Sequence, residues 1–191
     1  MDAIFAADGS FYYNIYGVAE GTSYSIIYQD EKDRDFQSEI ELLLKSFEKS
    51  LSVYDETSVI SRVNRNEEVE IDGFFRVLFT KAKEISRLTE GAFDISAEPL
   101  FRAWGFGSGG KANPDKETVE ALKQCVGMDK IWLEGNRVVK SNPTIVLNAN
   151  AVAKGYSVDV VADFLDGKAC ENYLVEIGGE IRLKGCNPDG E

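Results

Sequence analysis

The sequence predicts a mixed α+β fold, because its apolar residues change from strand-like clustering to helical spacing and back along the chain. Three observations carry this prediction. Aromatic and β-branched residues cluster at 12–16 and 23–28, apolar residues recur every three or four positions between 33 and 51, and Glu134-Gly135-Asn136 separates two short β-rich runs as a hairpin link would.

Taken in order, residues 12–16 and 23–28 read as two strands joined by a short irregular segment around Gly17 and Gly21. Phe36, Ile40, Leu43, Leu44, Phe47 and Leu51 give residues 33–51 the apolar stripe of a core-facing helix. Phe74, Val77, Leu78, Ala82, Ile85 and Leu88 mark a second helix, ended near Gly91 and expected to pack on the first. A third is expected where Asn113 caps and Pro114 fills the first turn, running through Val119 and Leu122 to about Gly127. Residues 130–133 and 137–139 form the hairpin, and 145–147 continue the sheet. Val160, Val161 and Phe164 place a helix over 156–165, and 173–177 with 180–185 close the pattern as a strand pair. The sheet is therefore mixed or antiparallel with helices packed on it. No repeat and no linker divides the chain, so residues 1–191 are expected to form one domain.

Composition removes several function classes. The 33 acidic against 21 basic residues give a net charge of -12, and Lys and Arg are scattered singly or in pairs, so nucleic acid is not an expected partner. Oriented amides, one lysine and a divalent cation still suffice to hold a small phosphate ligand. Cys125, Cys170 and Cys186 have neither zinc-site spacing nor an even number, and read as buried thiols. His is absent, so any metal is expected to be hard and oxygen-bound, Mg²⁺ or Ca²⁺. No apolar run approaches the roughly 20 residues of a membrane span. Residues 1–10 lack the basic start and apolar core of a secretory signal, and residues 185–191 read as a turn between strands, so the chain is expected to be truncated at that end.

Four stretches carry candidate chemistry. In residues 91–100, Gly91 and Pro99 bend the backbone and Asp94 offers a carboxylate to a ribose hydroxyl or a backbone amide, with turn stabilisation equally open. Trp104 to Gly107 adds flat apolar surface, which more often packs a loop onto a core than stacks a ligand. Residues 148–159 are small, read as a strand end entering a helix, and place Lys154 where unpaired helix amides would meet an anion. Gly178-Gly179 inside a strand pattern marks a bulge, a close backbone approach or a plain hairpin, and Tyr54 lies just past the long helix, free to stack.

In this order the stretches resemble the ApbE family of FAD:protein FMN transferases. Residues 18–24 resemble its Met-Gly-Thr entry strand, and 54–64 its Ser-x-Tyr…Ser-x-x-Ser-x-x-Asn segment. Residues 91–100 with 104–107 are similar to its G-x-F-D-x-[ST]-x-x-P-L…W-G-F-G signature, 150–159 to G-x-I-A-K-G-Y-x-V-D, and 173–185 to its last strand motif. The resemblance implies an ApbE-like, T-fold-related architecture and an enzyme that binds FAD and Mg²⁺ and passes FMN to a Thr or Ser hydroxyl of a target protein. Some relatives instead hydrolyse FAD to FMN and AMP, and a non-catalytic flavin-binding protein is the third reading. Carried over by position, Glu20 and Tyr54 would meet the flavin, Ala92, Phe93 and Asp94 the nucleotide, and Asn150, Lys154 and Tyr156 the flavin or phosphates. The Ala153 carbonyl would ligate Mg²⁺, and no side chain is implied as nucleophile or base. Glu20 stands where the family has Met, Asn148 where it has Asp, and Asn150 where it has a small residue. The family's late metal-binding Asp and Thr residues have no counterpart in this sequence. An envelope location, with a lipid anchor in the precursor, is implied in the same way.

Overall fold

The computed structural model describes residues 2–5, 11–106 and 113–190, with backbone only for 2–5. The strands in chain order are β1 (Asp2–Phe5), β2 (Phe11–Ala19), β3 (Thr22–Tyr28), β4 (Ile131–Glu134), β5 (Arg137–Lys140), β6 (Tyr173–Ile177) and β7 (Glu180–Lys184). The helices are α1 (Gln37–Leu51), α2 (Val59–Asn64), α3 (Gly73–Leu88), α4 (Glu98–Ala103), α5 (Lys116–Lys123) and α6 (Asn150–Gly167). The α+β class is as the sequence predicts, and every strand pair is antiparallel. The chain divides into two compact units, the first Met1–Glu48 with Val152–Glu191 and the second Lys49–Ala151. Among the described residues no helix is long and apolar enough to cross a membrane.

The first unit is built on a sheet in the order β1-β2-β3-β6-β7. Strand alternation sends every second side chain to one face, and the register aligns them across strands: Ile15 faces Ile26, which faces Val175, and all three are fully buried. Ile40 and Leu44 of α1 and Val158, Val161, Ala162 and Leu165 of α6 close over this face. One correction concerns the β2–β3 link, which is not irregular but a two-residue turn, Glu20-Gly21, with φ of 52° and 71°. Gly17 belongs to β2 rather than to the link; the Tyr24 ring lies 2.7 Å from where a Cβ would stand, so a side chain there would have to displace that ring.

In the second unit the Asp72 side chain caps α3 by accepting from Phe75 N–H at 2.9 Å, and Ser50 Oγ donates to the same carboxylate at 2.7 Å. The third predicted helix starts later than expected. Asn113 has a φ of 81° and does not cap; Asp115 does, accepting from Thr118 N–H at 2.7 Å. Residues 145–147 form no strand, because side chains take their backbone groups: Asn64 pairs with both the N–H and the C=O of Leu147 at 2.8 Å, and Lys140 Nζ donates to Ile145 C=O at 2.9 Å. β4 and β5 stand as a separate two-stranded sheet. Pro99 does not bend a loop but occupies the first turn of α4, where its missing N–H costs nothing. Helix α6 begins at Asn150 rather than Tyr156, and α1 begins at Gln37 rather than 33, where Asp33 has a φ of 52°.

Candidate functional site

In the second unit, Tyr54, Ala92, Phe93, Asp94 and Asn150 line one cleft of about 780 Å³. A volume of this order is that of a small-molecule site. Each residue is set there by local chain chemistry. Past α1, Asp55 accepts from the N–H and hydroxyl of Thr57 and pairs with Lys49 at 2.8 Å, while Ser58 Oγ donates to Ser52 C=O at 2.6 Å. The Lys49 ammonium and the Thr57 hydrogen bonds hold the Asp55 carboxyl down to about 2. This tight loop presents Tyr54 with 81% of its surface exposed.

The loop after α3 is fixed from within. Gly91 N–H bonds Ser86 C=O at 2.8 Å and Phe93 N–H bonds Thr89 Oγ1 at 3.1 Å. Asp94 is an organiser of this loop: one carboxylate oxygen accepts from Ser96 N–H at 2.7 Å and Ser96 Oγ at 2.6 Å, the other from Met128 N–H at 3.0 Å. Of the two roles the sequence left open for Asp94, the structure displays the turn-stabilising one.

A hydrogen-bond chain runs along the cleft. Arg102 pairs with Glu98 at 3.2 Å; the other oxygen of Glu98 accepts from the Asn148 side-chain amide at 2.5 Å. Asn148 Oδ1 accepts from Asn150 N–H at 2.8 Å, an Asx turn that leads into α6, and Asn150 Nδ2 donates to the Tyr54 hydroxyl at 3.1 Å. Phe93, Phe101 and Phe106 supply aromatic wall. Phe106 and Trp104 both stay exposed rather than packing onto a core, and Gly107 of the same motif lies outside the described residues. Flat apolar walls edged by amides and one arginine–glutamate pair suit a planar heterocycle with polar edges.

Asn64, Glu98, Phe101 and Arg102 also line the cleft, although no motif in the sequence marks them as site residues. The Asn148-Ala149-Asn150 spacing before a helix is the available signal for the Asx turn, and Glu98 beside a helix-starting proline is the signal for its partner.

The remaining predicted residues, Glu20, Ala153, Lys154 and Tyr156, belong to the first unit. Gly178-Gly179 is a two-residue hairpin turn between β6 and β7 and also a close approach. At Gly178 a Cβ would lie 2.8 Å from Thr22 Cγ2 and 3.2 Å from Lys154 Cδ, so this glycine lets the lysine stem lie along the turn. The Tyr156 ring packs edge-on against Phe47 with centroids 5.3 Å apart. Burial foremost, and the Glu48 charge, raise the Glu20 carboxyl above the usual carboxylate range, against Ser157 and Lys154.

A magnesium site does not follow from these residues. Among the described residues no three Asp, Glu, Cys or His side chains converge as metal ligands. Ala153 lies inside α6, where carbonyls accept from the amide four residues on, and one carbonyl does not meet the near-octahedral demand of Mg²⁺.

Known proteins similar to this chain fall in one family. The ApbE family matches residues 21–191. The FAD:protein FMN transferase of Vibrio cholerae is 38% identical over 183 residues, covering 91% of this chain and 55% of that protein. That of Haemophilus influenzae is 36% identical over 92% of this chain and 55% of its own length. The chain thus spans about half the length of these curated relatives. Among solved structures, the flavin transferase ApbE of Vibrio cholerae superposes with a TM-score of 0.86 at 35% identity, over 99% of this chain and 62% of that one. The apo flavinyl transferase ApbE of Pseudomonas stutzeri gives 0.88 at 30% identity, over 100% and 65%. On sequence and on backbone alike, the chain belongs to the ApbE family.

Proposed function

We propose that this chain carries the flavin-nucleotide part of an FAD:protein FMN transferase. The observation that carries the reading is the second unit's cleft, which gathers Tyr54, Ala92, Phe93 and Asn150 around an aromatic wall, in a chain of this family. In this reading Tyr54 and Phe93 cover the faces of the isoalloxazine or adenine, Asn150 and Asn148 meet ring or ribityl edges, and Asp94 holds the loop that carries Phe93. For Glu20, Lys154 and Tyr156, in the first unit, flavin and phosphate contacts are what the family resemblance implies.

In the transfer, a Thr or Ser hydroxyl of an acceptor protein attacks the FMN phosphorus. The bond from that phosphorus to the bridging oxygen breaks, AMP leaves with the oxygen, and the hydroxyl proton is lost to solvent. Such a reaction needs positioning and charge neutralisation more than a protein nucleophile. Mg²⁺, which the family resemblance implies, would supply charge neutralisation when bound. An envelope location for the whole protein is part of the same proposal, and fractionation of cells for this polypeptide checks it.

A second reading is flavin binding without turnover, which the cleft alone would support. Incubation with FAD, Mg²⁺ and a candidate acceptor separates the two: AMP release and covalent flavin fluorescence on the acceptor support transfer, and AMP without labelling supports hydrolysis to FMN. Tight FAD binding without AMP supports the second reading, and no FAD binding refutes both.

A further inference from the structure

Strand β7 forms one edge of the first unit's sheet, pairing with β6 on one side and with no strand among the described residues on the other. Its unpaired backbone groups follow from the turn before it. Gly178 and Gly179 have φ of 59° and 94°, and a two-residue turn of this kind makes Ile177 and Glu180 the pair that exchanges both ladder hydrogen bonds. Along the strand, Glu180, Arg182 and Lys184 therefore direct N–H and C=O to β6, while Ile181 and Leu183 direct theirs away from the sheet. Such an edge is a template for another strand.

The side chains say which strand fits. Arg182 is paired with the buried Val175, so Ile181 and Leu183 stand on the opposite, outer face, where they are 58% and 64% exposed. Leu183 continues an apolar row across that face through Leu174 and Ile27. The strand Glu180-Ile181-Arg182-Leu183-Lys184 is complementary to its own reverse: antiparallel pairing centred on Arg182 sets Glu180 against Lys184 and Ile181 against Leu183. In the same register Ile181 and Leu183 of one copy exchange N–H and C=O bonds with Leu183 and Ile181 of the other, which uses every outward group of both. Arg182 meeting its own copy is the one like-charge pair, and such pairs destabilise. Each copy offsets it internally, since three carboxylates of α6 surround that guanidinium, Asp163 at 2.8 Å, Asp159 at 3.1 Å and Asp166 at 3.5 Å.

We propose that β7 is a homodimerisation edge, on which a second copy of this chain pairs antiparallel about Arg182 and joins two five-stranded sheets into one. The two-fold axis consumes both β7 edges, so this contact closes at two copies and does not propagate. A strand of five residues from each copy is a small interface, below the roughly 1,200 Å² of stable complexes. The dimer is therefore weak and concentration-dependent.

Sedimentation velocity on the full chain between about 10 µM and 1 mM tests this. Expected is a rise in average mass toward twice that of one chain. Leu183→Pro removes an outward N–H and no hydrogen bond to β6, a change that an edge strand accepts; it should stay monomeric throughout with an unchanged circular dichroism spectrum. Glu180→Lys sets lysine against lysine and Lys184→Glu sets glutamate against glutamate, so each alone should dimerise more weakly, by a factor on the order of ten. Mixed in equal amounts, the two variants regain opposite charges at both ends of the strand and should associate with each other. A wild-type chain still monomeric at about 1 mM overturns the proposal. So does a dimer that Leu183→Pro leaves intact, or a mixture no tighter than either variant alone. None of these outcomes bears on FAD binding, which is measured separately.

Discussion

At Asp94 a site residue and a folding residue are the same atoms. Its carboxylate accepts three hydrogen bonds from Ser96 and Met128 and lines the cleft, so removing it acts on the loop before it acts on any ligand. Asp94→Ala should lower stability in urea by roughly 1–3 kcal/mol and weaken FAD binding as a consequence. A variant that loses affinity at full stability would instead assign Asp94 to the ligand. Lys154→Ala is expected to behave oppositely, with weaker FAD binding and an unmoved melting temperature. Asp30 gives a pH prediction of a different kind. The Arg34 guanidinium, against the penalty of burial, and the backbone amides of Lys32 and Arg34 hold its carboxyl down to about 2. A depressed carboxylate stabilises the fold above its unfolded value near 4, and that contribution is lost as pH falls through 2. Acid unfolding followed by circular dichroism should therefore move to higher pH in Arg34→Met and lose part of its pH dependence in Asp30→Asn.

Helix α3 shows how an element is specified twice, by its apolar stripe and by its cap. Asp72 joins Phe75 N–H and the Ser50 hydroxyl, so Asp72→Ala should cost about 1–2 kcal/mol in urea denaturation, and Ser50→Ala less. Stripes of this length are why α1 and α3 are legible in the sequence. Helix α2 has only Val59 to Asn64, less than two turns, so no stripe can accumulate and its Ser58 cap stays invisible without the structure. The β-rich run at 145–147 misleads for the opposite reason: its composition is that of a strand, but Asn64, 83 residues away from Leu147, supplies the hydrogen bonds a neighbouring strand would have made. The cleft was legible where one motif held its own residues together, as in Ala92-Phe93-Asp94. It was not legible where side chains meet across 50 or 96 residues of sequence, as in the Glu98–Asn148 and Tyr54–Asn150 pairs.

The whole molecule carries a net charge of -12, and a flavin dinucleotide is itself an anion. Long-range repulsion and short-range attraction therefore oppose one another, and ionic strength separates them because it screens by distance. The Debye length is about 30 Å at 0.01 M and about 8 Å at 0.15 M salt. Raising salt over this range removes most of the field of the distant carboxylates, while a lysine that meets the ligand, as proposed for Lys154, would be screened much less. FAD should therefore associate faster at 0.15 M than at 0.01 M, by a factor on the order of two to five, the reverse of a ligand steered by complementary charge. Stopped-flow quenching of flavin fluorescence measures this directly. Lys154→Ala should slow association at both ionic strengths and steepen the rise with salt, since it leaves the repulsion without its local opponent. A rate that falls with salt in the wild-type chain would mean that the cations near the nucleotide, and not the overall charge, govern its approach.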